Sequence, residues 1–199
     1  MATRKPQGKT ETIESLLNAA DQLFSEKGPN AVTVRDISAR ANVNHGLVHR
    51  HLGSKEALLS EVLDRHMHAF KAALVGIDSP ERAVRTLRRG QDDRPAFVRM
   101  LAFLILERRS TDEFTRTEGG TADFAAILRN AGFESDSARS TAALLSAFSL
   151  GWALYKDFVI KAAGCEEPVD RMDERATDLL LTLIRGLSAD AAAQTAPRN

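Results

Sequence analysis

Apolar residues recur at three- and four-residue intervals along most of this chain, and no segment shows the strict alternation of a half-buried strand. Ile13, Leu16, Leu17, Ala20, Leu23 and Phe24 share one face and predict a helix from about Glu11 to Lys27. Gly28-Pro29 stops it. Val34, Ile37 and Ala41 form the inner face of a second, short helix. Thr33 is its expected N-cap, with Asp36 three residues later in the position of a capping-box acid. Ala39 is small enough to let another helix approach closely. Asn42-Val43-Asn44 predicts a tight turn, and Asn44 can cap a third helix from His45 to about Leu52. Gly53 ends that helix. Ser54 caps a fourth, from Lys55 to about Val75, which buries Leu58, Leu59, Val62, Leu63 and Met67.

Gly76 to Pro80 breaks the pattern, and a domain boundary is expected in or just before it, with the fourth helix shared by both halves. Ser79-Pro80-Glu81 opens a helix reaching about Gly90, and Pro95 opens another whose Phe97-Val98 and Met100 to Leu106 imply burial on most sides. A loop holding Thr111, Asp112 and Gly119-Gly120 follows. Further helices are expected from Thr121 to Asn130, from Asp136 to Ala163 (closed by Gly164), and from Pro168 to Leu187. The expected architecture is all-α, with about nine helices. A flexible basic tail covers residues 1–10, and a three-helix helix-turn-helix domain covers 11–55. The fourth helix, 55–75, connects to a second helical domain over 76–190, and a frayed tail covers 191–199.

The 199 residues carry 27 basic and 27 acidic side chains, and a net charge of zero argues at first against a nucleic-acid partner. The distribution reverses that argument. Residues 33–55 carry Arg35, Arg40, Arg50 and Lys55 against Asp36 alone, net +3, while residues 56–199 hold 19 basic and 22 acidic side chains, net −3. Positive charge is therefore confined to one end of the molecule. Three of the five histidines, His45, His49 and His51, lie in the same stretch. A short cationic helix rich in small and polar donors suits the DNA major groove.

Other classes find less support. The longest uninterrupted apolar run, Met100 to Leu106, has seven residues, where a bilayer span needs roughly 20. The opening MATRKPQGKTE lacks the apolar core of a signal peptide, and Cys165 is the single cysteine. A cytoplasmic protein without a membrane partner is expected. No G-x-S-x-G, phosphate-binding glycine loop or H-E-x-x-H occurs, and every histidine lies at or before position 68. An enzyme on the helical bundle, a remote alternative, would have only Asp, Glu, Lys or Tyr155 to work with. His45 and His49 have the spacing of a metal-binding pair, but no third ligand is evident. Neither a metal nor a cofactor is expected.

Asn44, His45 and Arg50 are candidates for base edges, since arginine can pair bidentately with guanine and asparagine with adenine. Arg50 serves equally as a phosphate ligand. Gly46 removes side-chain bulk and lets the backbone approach the duplex, or else it is a helix-packing glycine. Thr33, His49, His51 and Lys55 are candidates for phosphate. Thr33 and Lys55 sit at helix N-termini, where free N–H groups and the helix dipole favour an anion. His51 could instead be a packed, hydrogen-bonded residue at the helix end.

From Ile13 to Leu63 the chain resembles the DNA-binding domain of the TetR family of one-component transcriptional regulators. The likeness runs through LLNAADQLFSEKG (residues 16–28) and TVRDISARANVNHGLVHRHLGSKEALLSEVL (residues 33–63). The family usually has a small hydroxyl residue where this chain has Asn44, a tyrosine where it has His49, and a phenylalanine where it has Leu52. The resemblance implies a dimeric repressor that binds a palindromic double-stranded operator and is released by a small-molecule effector. A regulator without such an effector, partnered by a protein or constitutive, is the alternative. The family's mode of pairing implies that the last two long helices form the homodimer. Leu144, Phe148, Trp152 and Tyr155 on one, and Met172, Ala176, Leu180 and Leu183 on the other, are the candidates, unless these stripes face their own core. The middle helices would then surround an effector pocket lined by Phe97, Leu101, Leu104, Phe124, Leu128 and Trp152, each of which could equally be plain core. Arg82, Arg85 and Arg89 share a face that is solvent-directed or receives an acidic ligand.

Overall fold

The computed structural model describes residue 6 and residues 8–109 and 120–195. Among these it has nine helices and no strand: α1 (Lys9–Lys27), α2 (Val34–Arg40), α3 (His45–Leu52), α4 (Lys55–Leu74), α5 (Pro80–Asp92), α6 (Pro95–Leu106), α7 (Gly120–Asn130), α8 (Ser135–Ala162) and α9 (Val169–Thr195). Two ends differ from expectation. Lys9 and Thr10, assigned to the tail, open α1, and α9 runs beyond Leu187 to Thr195. Ala191 to Gln194 are strong helix formers, which extends the last helix where a frayed tail was expected. Thr111, Asp112 and Gly119 of the expected loop lie outside the described residues.

The chain divides into two compact units, Met1–His68 with Ala96–Thr117, and Ala69–Pro95 with Glu118–Asn199. The division falls inside α4, which contributes residues to both units, and α6 joins the first unit. In that unit Leu16, Leu17, Ala20, Leu23 and Phe24 of α1 pack with Ile37, Val48, Leu58, Leu59, Val62 and Leu63, and with Met100 and Leu104 of α6. α1 turns off at Gly28, whose φ of 79° suits glycine and where a Cβ would stand 2.9 Å from Phe103 Cδ1. Asn42 takes φ 54° after α2, the left-handed turn that asparagine tolerates. The N–H of Val43 then reaches the Ser38 carbonyl (3.0 Å) and that of Asn42 the Ala39 carbonyl (3.2 Å), closing α2 as a Schellman motif. Ser15 Oγ donates to the Ala41 carbonyl at 3.0 Å and pins that turn to α1. Ala39, expected at a helix contact, is exposed, and its neighbour Ser38 is the buried residue.

The second unit is built on Phe70 and Leu74 of α4, Val84 and Leu87 of α5, Phe124 and Leu128 of α7, Ala138, Ala142 and Leu145 of α8, and Leu180, Leu181 and Ile184 of α9. By length and composition α8 is the one helix among the described residues able to cross a membrane, a property its scattered serines hid from a search for unbroken apolar runs. Its inner residues nevertheless belong to this core.

Candidate nucleic-acid interface

α2, the turn at Asn42 and α3 form a compact pair of short helices whose local chemistry is fully written in the sequence. Thr33 and Asp36 close a complete capping box. Asp36 N donates to Thr33 Oγ1 (3.2 Å), and Asp36 Oδ2 accepts from Thr33 N (2.9 Å) and Thr33 Oγ1 (2.6 Å). These hydrogen bonds from Thr33 hold the Asp36 carboxyl below its ordinary range. The hydroxyl proton of Thr33 is thus already engaged, and what the exposed N-terminus of α2 offers an anion is chiefly its backbone N–H groups.

Asn44 caps α3, its Oδ1 accepting from Gly46 N at 2.9 Å. That leaves the side-chain amide as the donor available to a partner. α3 is anchored by Val48, which is fully buried. His45, Gly46, His49 and Arg50 occupy the exposed face. The rings of His45 and His49 stand edge to face, 5.2 Å apart. His49 Nδ1 lies 2.9 Å from the Gly53 carbonyl, which can only accept, so Nδ1 carries the proton and Nε2 is the nitrogen open to a partner. Arg50 is exposed and has no hydrogen-bond partner among the described residues. A Cβ at Gly46 would meet nothing within 4 Å except Asn44 Oδ1 at 3.4 Å, so Gly46 is a surface glycine and not a packing one. His51 is half-buried. Lys55 donates Nζ to the Pro29 carbonyl at 3.0 Å. His66 is half-buried, with Nε2 3.0 Å from Asp21 Oδ1.

Of the six residues expected to line one pocket, Phe97, Leu101 and Leu104 belong to the first unit and Phe124, Leu128 and Trp152 to the second. Leu104 is in the core of the first unit with Phe97 packed on it, while Phe124 and Leu128 are in the core of the second. Leu101 is partly buried in α6, and Trp152 is tied to Asp173. α6 is apolar on most sides, with Arg99 its one charged residue, so its sequence does not say which core it joins. The expected dimer stripe also divides. Ala176 and Leu180 are buried in their own core, and Phe148 packs against it. Met172 is partly buried. Leu144 (71% exposed), Tyr155 (54%), Leu183 (49%) and, on the same stripe of the last helix, Leu179 (51%) remain open, joined by Phe158 (71%), which the sequence reading left out.

The second unit also holds a charge cluster that the sequence reading missed. Arg88 of α5 is only 2% exposed; its Nη2 lies 3.3 Å from Asp173 Oδ1 and 3.6 Å from Asp92 Oδ2. Lys156 of α8 reaches Asp173 Oδ2 at 2.7 Å and Asp92 Oδ1 at 3.6 Å. Trp152 Nε1 donates to Asp173 Oδ1 at 2.6 Å. Burial alone would raise the Asp173 pKa, but hydrogen bonds from Lys156 and Trp152 and the charges of Lys156 and Arg88 prevail and lower it. Burial likewise opposes the charge on Lys156, yet Asp173 and Asp92 together raise its pKa. One signal was available: Arg88 and Gln91 fall within the stripe formed by Ala83, Val84 and Leu87.

A tight two-helix turn with a capped, cationic, outward-facing second helix defines a helix-turn-helix DNA-binding protein. Residues 16–62 match the family of bacterial regulatory proteins named tetR. The chain is 34% identical over 166 residues to the HTH-type transcriptional repressor Rv3405c of Mycobacterium tuberculosis, covering 82% of this chain and 84% of that one. Among solved structures it resembles the transcriptional regulator SCO4942 of Streptomyces coelicolor, with a TM-score of 0.69, 22% identity, and 86% and 97% of the two chains covered. A tetR-family regulator of the same organism matches with a TM-score of 0.69 at 18% identity, over 94% and 87%. The chain belongs to the TetR family; it is a DNA-binding transcriptional regulator and not an enzyme.

Proposed function

We propose that this regulator is a repressor that binds an inverted-repeat operator as a homodimer and is released by a small-molecule effector. The observation that carries the DNA half is the outward face of α3: His45, Gly46, His49 and Arg50 exposed together, with Val48 fixing the helix to the core. Two turns of helix reach only a few base pairs, so a genomic site needs two copies. Arg50, His45 and the Asn44 amide read base edges. His49 through Nε2–H when its ring carries both protons, His51, Lys55 and the α2 N-terminus at Thr33 hold phosphates.

The homodimer forms through the open apolar residues of α8 and α9. Leu144, Tyr155 and Phe158 line one helix, and Leu179, Leu183 and Leu187 the other, at the intervals of a single helical face. Contiguous apolar surface of this kind needs a cover, and a second copy presents the same surface. α4 contributes residues to both units, so it is the lever through which an effector alters the spacing of the two α3 helices.

The test is selection of bound duplexes from a random pool with the full chain, followed by footprinting. Inverted half-sites about one helical turn apart support the proposal. A single asymmetric site occupied by one protomer refutes it.

A further inference from the structure

Resting on the effector-switched reading above, we propose that the cleft between α5 and α9 is the effector site, and that it takes a small amphoteric molecule of the amino-acid type. Its carboxylate faces the arginines of α5 and its ammonium faces the acids of α9.

The cleft has a volume of about 450 Å3. Arg85, Arg88, Arg89 and Asp92 form one wall, and Asp170, Asp173, Glu174, Thr177 and Asp178 the other. Arg88 is the informative residue. It is 2% exposed. Its contacts to Asp173 and Asp92, 3.3 and 3.6 Å, are longer than ordinary charge-assisted hydrogen bonds. Its Nε and Nη1 are closed off from solvent and have no hydrogen-bond partner among the described residues. Gln91 Oε1, one turn further along α5, is a buried acceptor in the same condition. Buried polar atoms are almost always paired, and Arg88, a residue of the cleft wall with two orphaned donors, is where an added negative group gains most.

The charges select the ligand class. A simple anion drawn to Arg88 would sit against Asp92, Asp173 and the other α9 acids. A simple cation would sit against three arginines. An apolar molecule would leave the orphan donors unpaired. Arg85 and Arg89 are exposed and have no partner among the described residues, and the same holds for the side chains of Asp170 and Asp178. A molecule with opposite charges at its two ends satisfies both walls, its carboxylate at the exposed Arg85 and Arg89 beside the Arg88 guanidinium and its ammonium against Asp170 and Asp178. α9 carries Leu179 and Leu183 of the proposed dimer face, so a ligand that clamps α5 to α9 acts on the element that sets protomer spacing.

The experiment uses the full-length protein at constant ionic strength. Glycine, alanine, glutamate, lysine and 4-aminobutyrate are titrated while thermal melting and anisotropy on a selected operator duplex are read. Acetate and ethylamine are the single-charge controls. The expected result is saturable stabilisation by at least one amino acid and loss of operator affinity at the same concentrations. Its amide and N-acetyl derivatives should bind at least tenfold more weakly. Arg88→Lys and Asp178→Asn should weaken binding at least tenfold, while Arg82→Ala, outside the cleft, should leave it unchanged. Should Arg88→Lys not fold, Arg85→Ala and Asp178→Asn at exposed positions carry the test. No saturable response to any of the amino acids overturns the proposal, as does binding that both cleft variants leave intact. An amino acid that binds through Arg88 without moving operator affinity keeps the site and refutes the effector reading. A molecule of another class that releases operator from wild type and Arg88→Lys alike keeps the effector reading and overturns this site.

Discussion

Lys55 donates its ammonium to the carbonyl of Pro29 at 3.0 Å, so the first residue of α4 is held by the loop that follows α1. A lysine fixed in this way keeps two N–H groups for a phosphate and loses little side-chain freedom when one arrives. Lys55→Ala is therefore expected to weaken binding to all DNA sequences alike, and to reduce the slope of log affinity against log salt by about 0.9. It should also cost about 1 kcal/mol of stability through the lost hydrogen bond. Fluorescence anisotropy across a salt series, with a denaturant melt, checks both.

Arg50 behaves differently if it reads a base. Arg50→Ala should relax preference at one position of each half-site, with about 1–3 kcal/mol of discrimination lost there. Binding to unrelated duplexes should change little. Sequencing of duplexes selected by wild type and variant measures this, and an unaltered preference assigns Arg50 to phosphate instead.

Much of the head was legible because its signals are local. The cap at Asn44, the Thr33–Asp36 box and the stop at Gly28 each depend on residues within a few positions of one another, and all three stand as the sequence implies. The second unit was less legible for a physical reason. Leu179 and Leu180 lie 100° apart on α9, and an apolar stripe that wide does not say which of them meets its own core; Leu180 does, and Leu179 is open. Arg88 has partners on α5 and α9 and shares them with Lys156 of α8, so no window of sequence contains its environment.

That division gives a test of the homodimer. Phe158→Glu or Leu183→Glu places a charge on the open face of α8 or α9 and should convert dimers to folded monomers in sedimentation velocity. Leu180→Ala, by contrast, opens a cavity in the core of each protomer and should cost about 2–5 kcal/mol of stability. Folded dimers retained by both charged variants would place the interface elsewhere.

The Arg88–Asp173–Lys156 cluster makes stability depend on pH in a defined direction. The Asp173 pKa is lowered in the folded state, so its contribution is present above the unfolded value of about 3.9 and is lost as pH falls through the lower folded value. The Lys156 pKa is raised, so its contribution is present below the unfolded value of about 10.4 and is lost as pH rises through the higher folded value. Asp173→Asn should destabilise the protein at neutral pH, because Arg88 and Lys156 are left to share Asp92. The gap from wild type should close as the pH drops below about 4. Urea melts at a series of pH values measure it, and a gap that is the same at neutral and acid pH would remove Asp173 from the pH response.

The most direct measurement is anisotropy of a selected inverted-repeat duplex titrated with the full-length protein, in wild type and in a His45→Ala/Arg50→Ala double variant. Both side chains are exposed, so the variant should stay folded. Two wild-type protomers should bind each duplex, with affinity falling steeply as salt rises, and the double variant should lose the preference for the selected sequence. Equal, sequence-selective binding by the stripped helix, or a folded wild-type dimer that ignores every duplex at low salt, would contradict the placement of α3 in the groove.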